Sequence, residues 1–178
     1  MRFYQQHSLK KYNTFGLDVY AGYFVEYGSE DELLEILNSG VVRENRLLAI
    51  GQGSNLLFLK DFDGVVVHSA LKGITRIEET EDSVILEVGS GVVWDDLVEH
   101  CVQHGWHGIE NLSLIPGEVG ASAIQNIGAY GVELKDVLQK VKAVRIADGE
   151  TKIFTCEDCR YGYRESIFKK ELKGQYII

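Results

Sequence analysis

Between residues 115 and 131 the chain reads Ile115-Pro116-Gly117-Glu118-Val119-Gly120-Ala121-Ser122-Ala123-Ile124-Gln125-Asn126-Ile127-Gly128-Ala129-Tyr130-Gly131. Gly117, Gly120, Ala121, Ala123, Gly128, Ala129 and Gly131 make this a run of small residues, which is poor material for filling a core. Such a run suits a place where the main chain must lie close to a large flat ligand or to its phosphates. Gln125 and Asn126 add paired donors and acceptors of the kind that read the edge of a heterocycle. The plainer alternative is a tight helix-packing segment. It is disfavoured because the glycines do not keep a helical period.

Working back towards the N-terminus, a second segment of the same character is Ile50-Gly51-Gln52-Gly53-Ser54-Asn55-Leu56. It follows directly on the apolar run Leu47 to Ile50, which reads as a strand. Two glycines let the backbone turn sharply, and successive N–H groups in such a turn form an anion-binding nest. Alone, the segment is equally an ordinary strand-ending turn. It is not a Walker loop, because no Lys-Ser/Thr follows, and it lacks the third glycine of a Rossmann fingerprint.

The surrounding chain supplies the scaffold. Tyr23 to Tyr27 reads as a strand. Ser29 then caps a helix, with Glu32 as the other half of a capping box, Leu33, Leu34, Ile36 and Leu37 as the apolar stripe, and Gly40 as its end. Val65 to Val67 is a further strand, so residues 1–68 form a small β-α-β lobe. From 69 to 178 the texture is α+β with mostly antiparallel strands. Ile74 to Glu78 pairs with Val84 to Val88. A helix carries Trp94, Leu97, Val98 and Cys101 and stops at Gly105. Val141 to Ile146 and Lys152 to Phe154 make a hairpin around Asp148-Gly149. Gln175 to Ile178 begins a strand, and a chain rarely ends by starting one, so truncation is expected.

Composition excludes several classes of function. The 178 residues are 45% hydrophobic and 25% charged, an ordinary globular mix, and the formal charge is -9. An acidic surface repels phosphate backbones, so nucleic acid is not an expected partner. No apolar run spans a bilayer and Met1 to Lys10 has no signal-peptide core, which makes the cytoplasm the default location. Three cysteines, Cys101, Cys156 and Cys159, are too few and too odd for a disulfide framework.

Taken together, the motifs resemble a known family. Gly108 to Ala121, followed by Gln125-Asn126-Ile127-Gly128-Ala129-Tyr130-Gly131, is similar to the signature of UDP-N-acetylenolpyruvoylglucosamine reductases. Asn13-Thr14-Phe15 resembles that family's opening motif, Gly51 to Leu57 its first flavin loop, and Tyr163-Arg164-Glu165-Ser166-Ile167-Phe168 its catalytic arginine segment. The matches fall in the family's order across the whole chain. Ala123 departs from the pattern, since the family usually has proline there.

The resemblance implies the two-lobed FAD-binding fold of the vanillyl-alcohol oxidase type. In that fold Ile50 to Leu56 and Ile115 to Ala121 cradle the FAD pyrophosphate, and Gln125 to Tyr130 lie along the ribityl chain and the isoalloxazine. It implies NADPH as hydride donor and UDP-N-acetylglucosamine enolpyruvate as substrate, reduced to UDP-N-acetylmuramate for the cell wall. It also implies Arg164 as the cation facing charge that builds beside the substrate carboxylate, a task suited to a planar fork. The family's proton-donating serine and its glutamate partner lie later in the chain, as does the substrate domain, and neither is found here. The expectation is therefore a fragment that binds FAD without full turnover, with Ser166 ordering a local turn. Two other readings stay open: another oxidoreductase of the same flavin fold, and a non-catalytic module for a phosphate-bearing ligand.

Other chemistry-bearing residues carry less. His100, His104 and His107 are spaced for a metal, but an exposed polar helix face explains them better, so no metal is expected. Cys156 and Cys159 form a single C-x-x-C, read as incidental thiols. Trp94 and Trp106 are read as core or lobe-interface residues.

Overall fold

The computed structural model describes residues 1–178. The Val65-Val66-Val67 run is buried on both faces, because it lies at the centre of β4 (Phe62–Ser69), with β2 (Tyr20–Tyr27) on one side and β3 (Leu47–Ile50) on the other, both parallel to it. Alternate residues face opposite ways, as strand geometry requires. Val25, Tyr27, Val65 and Val67 face one core with Leu33, Ile36 and Leu37 of the helix α1 (Glu30–Asn38). Phe24 and Val66 face another with Leu9, Ala21 and Ile50.

Three details of the first lobe differ from the sequence reading. A strand β1 (Arg2–Ser8) pairs antiparallel with β2 at the sheet edge. Its side chains are almost all exposed, so it shows no alternation of polarity. Gly40 does not end α1. Ser39 closes it and caps a further turn, α2 (Gly40–Glu44), by accepting the Val42 N–H. The capping box is half made: Ser29 Oγ accepts the Glu32 N–H at 3.1 Å, but the Glu32 carboxylate takes the Gly28 N–H at 2.7 Å and pairs with the N-terminal amine.

Beyond Ser69, β5 (Ile74–Glu79) and β6 (Val84–Val88) form an antiparallel pair. Helix α3 (Trp94–Gln103) buries Trp94, Leu97, Val98 and Cys101, and Gly105 (φ +69°) follows its end. A short helix α4 (Val119–Gln125) lies inside the small-residue run. Part of that run is thus helical despite its irregular glycine spacing, and Gly120 lets it press on Ser90, whose Cβ would lie 2.7 Å from a Cβ at that position. The hairpin β7 (Gly128–Ala129) and β8 (Val132–Glu133) turns through Tyr130 and Gly131, both left-handed at φ +51° and +83°, as a two-residue turn of the primed type requires.

The last sheet has β9 (Lys140–Arg145) between β10 (Thr151–Thr155) and β11 (Tyr176–Ile177), all antiparallel. Val141 and Ala143 join the core around Trp94, Leu112, Phe154 and Phe168. Val144 and Ile177 join the cluster under α1 instead. That sheet therefore locks against the first one through α1. No helix is long and apolar enough to cross a membrane.

Candidate functional site

The two glycine-bearing segments meet face to face. Ser54 Oγ donates to the Pro116 carbonyl at 3.0 Å and Asn55 Nδ2 donates to Gln125 Oε1 at 2.7 Å. A Cβ on Gly51 would sit 3.2 Å from the Ala121 Cβ, and one on Gly117 would sit 3.5 Å from Ser54 Oγ. Side chains there would fill the space into which the main chains project.

Gly53 is required twice over. Its φ is +73°, and a Cβ would fall 1.8 Å from the Tyr12 carbonyl oxygen. That carbonyl is fixed by Asn13, whose amide donates to the carbonyls of Leu9 and Leu17, each at 2.9 Å, and accepts the Leu17 N–H. The opening motif at Asn13 is thus a clamp beneath the first loop.

What these loops offer is backbone. The N–H groups of Gly51, Gln52, Gly53, Ser54 and Asn55 donate to no acceptor within the protein. Across from them, the N–H groups of Ile115, Gly117, Glu118 and Ala121 are likewise unpaired, whereas those of Val119 and Gly120 are taken by the carbonyls of Val92 and Ser90. Main-chain donors left over in loops that approach this closely are well matched to an anion of pyrophosphate size. The apolar members turn their side chains away: Ile50 into the core around Phe24, Ile115, Val119 and Ile127 into the one around Trp94, and Leu56 onto the former. The residues present therefore fit a dinucleotide flavin, whose phosphates would find free main-chain donors in 51–55 and 115–121.

Two residues of the sequence reading have other partners. Asn126, expected at a heterocycle edge, is 0% exposed. It ends α4 in the left-handed region (φ +48°), donates to the Gly162 carbonyl at 2.9 Å and accepts the Lys135 N–H at 3.0 Å. Ser166, expected to order its own turn, instead donates to the Ile124 carbonyl of α4.

These ties hold the arginine segment to the end of α4. Gly162 and Glu165 exchange backbone hydrogen bonds at 3.1 Å, so Tyr163 and Arg164 form the tip of a tight turn, with Arg164 at φ +55°. Arg164 Nη2 donates to the Gly128 carbonyl at 2.9 Å. Glu165 pairs with Lys170, not with Arg164. The exposed side chains of Tyr130 (89%) and Tyr163 (82%) lie on the two turns that this contact joins.

Elsewhere the candidates have local roles. His104 stacks on Trp106 at 4.7 Å, His100 packs beside it, and His107 pairs with Glu110. Cys159 is buried and Cys156 lies near the Lys135 carbonyl at 3.4 Å; burial pushes both thiols up, away from reactive thiolate.

A buried ionic group was missed in the sequence. Glu118, 4% exposed, places Oε1 at 3.1 Å from His68 Nε2, while Glu26 Oε2 lies 3.3 Å from His68 Nδ1. These residues come from three separate stretches of chain, and only the fold brings them together.

A family model described as FAD binding domain matches residues 21–155. Over 174 residues the chain is 54% identical to a UDP-N-acetylenolpyruvoylglucosamine reductase of Bacteroides fragilis, covering 97% of this chain and 52% of that protein. It is 47% identical to one from Photobacterium profundum, over 100% of this chain and 51% of that one. The chain thus spans about half the length of the curated relatives it matches. Among solved structures it is similar to UDP-N-acetylenolpyruvylglucosamine reductase from Thermus caldophilus, with a TM-score of 0.71 and 26% identity over 93% of this chain and 56% of that one. A vanillyl-alcohol oxidase-type flavoprotein from Myceliophthora thermophila shares the fold at a TM-score of 0.57 and 17% identity, over 78% of this chain and 27% of that one.

Proposed function

Since the chain belongs to the FAD-binding domain family, we propose that it is the flavin-holding part of a UDP-N-acetylenolpyruvoylglucosamine reductase. The observation that carries this reading is the opposition of two sets of unpaired N–H groups, those of 51–55 and those of Ile115, Gly117, Glu118 and Ala121, beside a pinned arginine turn. FAD, when bound, supplies hydride transfer from NADPH to the enolpyruvyl group of UDP-N-acetylglucosamine enolpyruvate.

The protein's own residues bind and orient. Residues 1–68 and 69–178 act as two lobes, with the cofactor lying across the groove between them. The backbone of 51–55 and 115–121 takes the pyrophosphate. Gln125, Gly128, Ala129 and Tyr130 line its ribityl and ring end, and Asn126 and Ile127 hold that strip in shape from beneath. Arg164 is the cation whose side chain reaches Gly128, while the Lys169 ammonium holds the same turn through the Arg164 carbonyl. The planar fork of Arg164 suits the substrate carboxylate and the negative charge that grows next to it once hydride has been added. The uridine contacts and the carbon-protonating group belong to the remaining half of such an enzyme, so the 178 residues alone hold flavin and do not complete turnover.

The test is to mix the purified chain with FAD, desalt it and record the visible spectrum, with ATP and a UDP-sugar as competitors. Retained flavin bands, indifferent to excess ATP and bleached by NADPH, are expected. Displacement by ATP at matched concentration would favour a general phosphate-ligand module, and reductase turnover by the 178 residues alone would overturn the division of labour.

A further inference from the structure

His68 is 8% exposed, and both its ring nitrogens face carboxylates. A neutral imidazole has a single N–H, so one nitrogen would then turn a lone pair towards a carboxylate oxygen. Only the imidazolium donates to both Glu118 and Glu26. Burial pulls the His68 pKa down, but the hydrogen bonds and charges of Glu118 and then Glu26 outweigh it and leave the ring above its ordinary value.

The position of this group is what matters. His68 is the register neighbour of Ile50, the residue that leads into the 51–55 loop. Glu118 lies within the 115–121 segment, and its Oε2 would be 3.1 Å from a Cβ on Gly51. One oxygen of this carboxylate thus meets the β4 histidine, while the other occupies the space beside Gly51 that a side chain there would fill. Its charge would oppose any anion held by the same backbone unless a cation neutralised it.

We propose that Glu118 and His68 are a positioning pair, which neutralises the carboxylate behind the phosphate cradle and fixes the spacing of its two donor loops. This rests on the flavin reading for its ligand, though not for its geometry. The groups facing the pair are Glu26 from β2, Tyr12 from the preceding loop with its ring 5.1 Å from His68, Phe24 at 6.2 Å, and Arg2, which pairs with Glu26 at 3.1 Å. Tyr4 and His7 of β1 pack on Phe24, with ring centroids 6.4 and 4.6 Å from it, and Tyr27 sits near Glu118 with Ser69 and Ser90. Tyr12 and Tyr27 are both raised by burial first, so they stay neutral across the range in which His68 titrates. Because the folded His68 pKa lies above the unfolded one, its contribution is complete below the ordinary imidazole range and fades as pH climbs through the folded value.

The experiment follows the whole chain and its Glu118→Gln and Glu118→Ala variants between pH 5.5 and 9. One readout is FAD affinity by fluorescence quenching; the other is NMR of the His68 ring and of the Gly51 to Asn55 amides without FAD. The wild type should lose FAD affinity as pH rises, with the loop amides shifting at the same midpoint as His68. Glu118→Gln should bind about tenfold more weakly at pH 6.5 and lose most of the pH dependence, the scale of one charge-assisted hydrogen bond, and Glu118→Ala should be weaker still. If the wild type holds no FAD at any pH, the flavin reading fails and the loop amides alone decide the pair. Loop amides that ignore the His68 titration, or FAD affinity that ignores both pH and Glu118→Gln, would overturn it.

Discussion

Asn126 Nδ2 donates to the Gly162 carbonyl at 2.9 Å across 36 residues of chain, and its oxygen accepts the Lys135 N–H. One fully buried amide thus joins the end of α4, the β7–β8 hairpin region and the arginine turn. The amide nitrogen and oxygen of that side chain both bond to main chain, so truncating it strands a partly buried carbonyl and a partly buried N–H together.

Asn126→Ala is therefore expected to destabilise the chain by about 2–3 kcal/mol, since a fully buried abandoned partner costs about 1–3 kcal/mol and these two, partly buried, fall at the low end. At this chain length that lowers the melting temperature by roughly 5–10 °C. Asn126→Asp keeps the acceptor for Lys135 but loses the donor to Gly162, and should fall between Ala and wild type. A thermal melt followed by circular dichroism checks the order.

Gly53 and Gly131 separate two causes of glycine dependence. Both have positive φ, but a Cβ on Gly131 would meet nothing within 4 Å, whereas one on Gly53 would collide with the Tyr12 carbonyl at 1.8 Å. Gly131→Ala is expected to cost only the left-handed penalty, about 1–2 kcal/mol. Gly53→Ala must displace the loop held by Asn13, and should abolish FAD retention and lower the melting temperature well beyond Gly131→Ala.

Much of the scaffold was legible because it follows local rules. Val65 to Val67 declared a strand, Ser29 marked a helix start, and Asp148-Gly149 marked the turn between β9 and β10. The backbone character of residues 51–55 and 115–121 was legible too, since glycines expose main chain wherever they lie. What stayed hidden depends on partners distant in sequence. Exposed β1 carries no polarity pattern. Asn126 looked like a ligand-reading amide because nothing local reveals that Gly162 and Lys135 claim it. Nothing local marks Glu118 until the fold sets it against His68.

The acid limb of stability should be visible in the turn that leads into the cradle. Asp95 accepts the Leu114 N–H at 2.7 Å and the Ser113 hydroxyl at 2.8 Å. These two bonds, the backbone one first, hold its carboxyl below the usual range. A depressed folded pKa means that the contribution is present above the unfolded value and lost as pH falls through the folded one. Leu114 sits at φ +59° and depends on that anchor. Asp95→Asn should thus flatten the loss of stability below about pH 4, measured by urea melts at stepped pH.

Tyr161 offers a change expected to do no harm. Its hydroxyl is buried, and its polar neighbour, the Cys159 thiol, is a weak partner that does not meet it in hydrogen-bond geometry. Burial first, and then the Cys159 thiol beside it, pushes its pKa far above the usual tyrosine range, so it stays protonated. Removing an unsatisfied buried hydroxyl recovers its desolvation cost, so Tyr161→Phe should be neutral or stabilising by up to about 1 kcal/mol. Clear destabilisation in a urea melt would mean that the hydroxyl has a partner.

Arg164 should behave differently from every residue above. Its side chain is exposed and holds one hydrogen bond, to the Gly128 carbonyl. The turn that carries it is closed by Gly162 and Glu165 and pinned through Asn126 and Ser166, not through the guanidinium. Arg164→Met in the 178 residues should accordingly change stability by no more than about 0.5 kcal/mol, as exposed substitutions do, and leave flavin retention intact. On the proposed function, the same change in a full-length protein carrying this half would remove the cation that meets developing charge, and turnover should drop by about 100–1000-fold. Arg164→Lys should recover only part of that loss, because an ammonium cannot grip a carboxylate at two points. Flavin loss in Arg164→Met would instead make the arginine part of the cofactor site, and unchanged turnover would remove it from the chemistry.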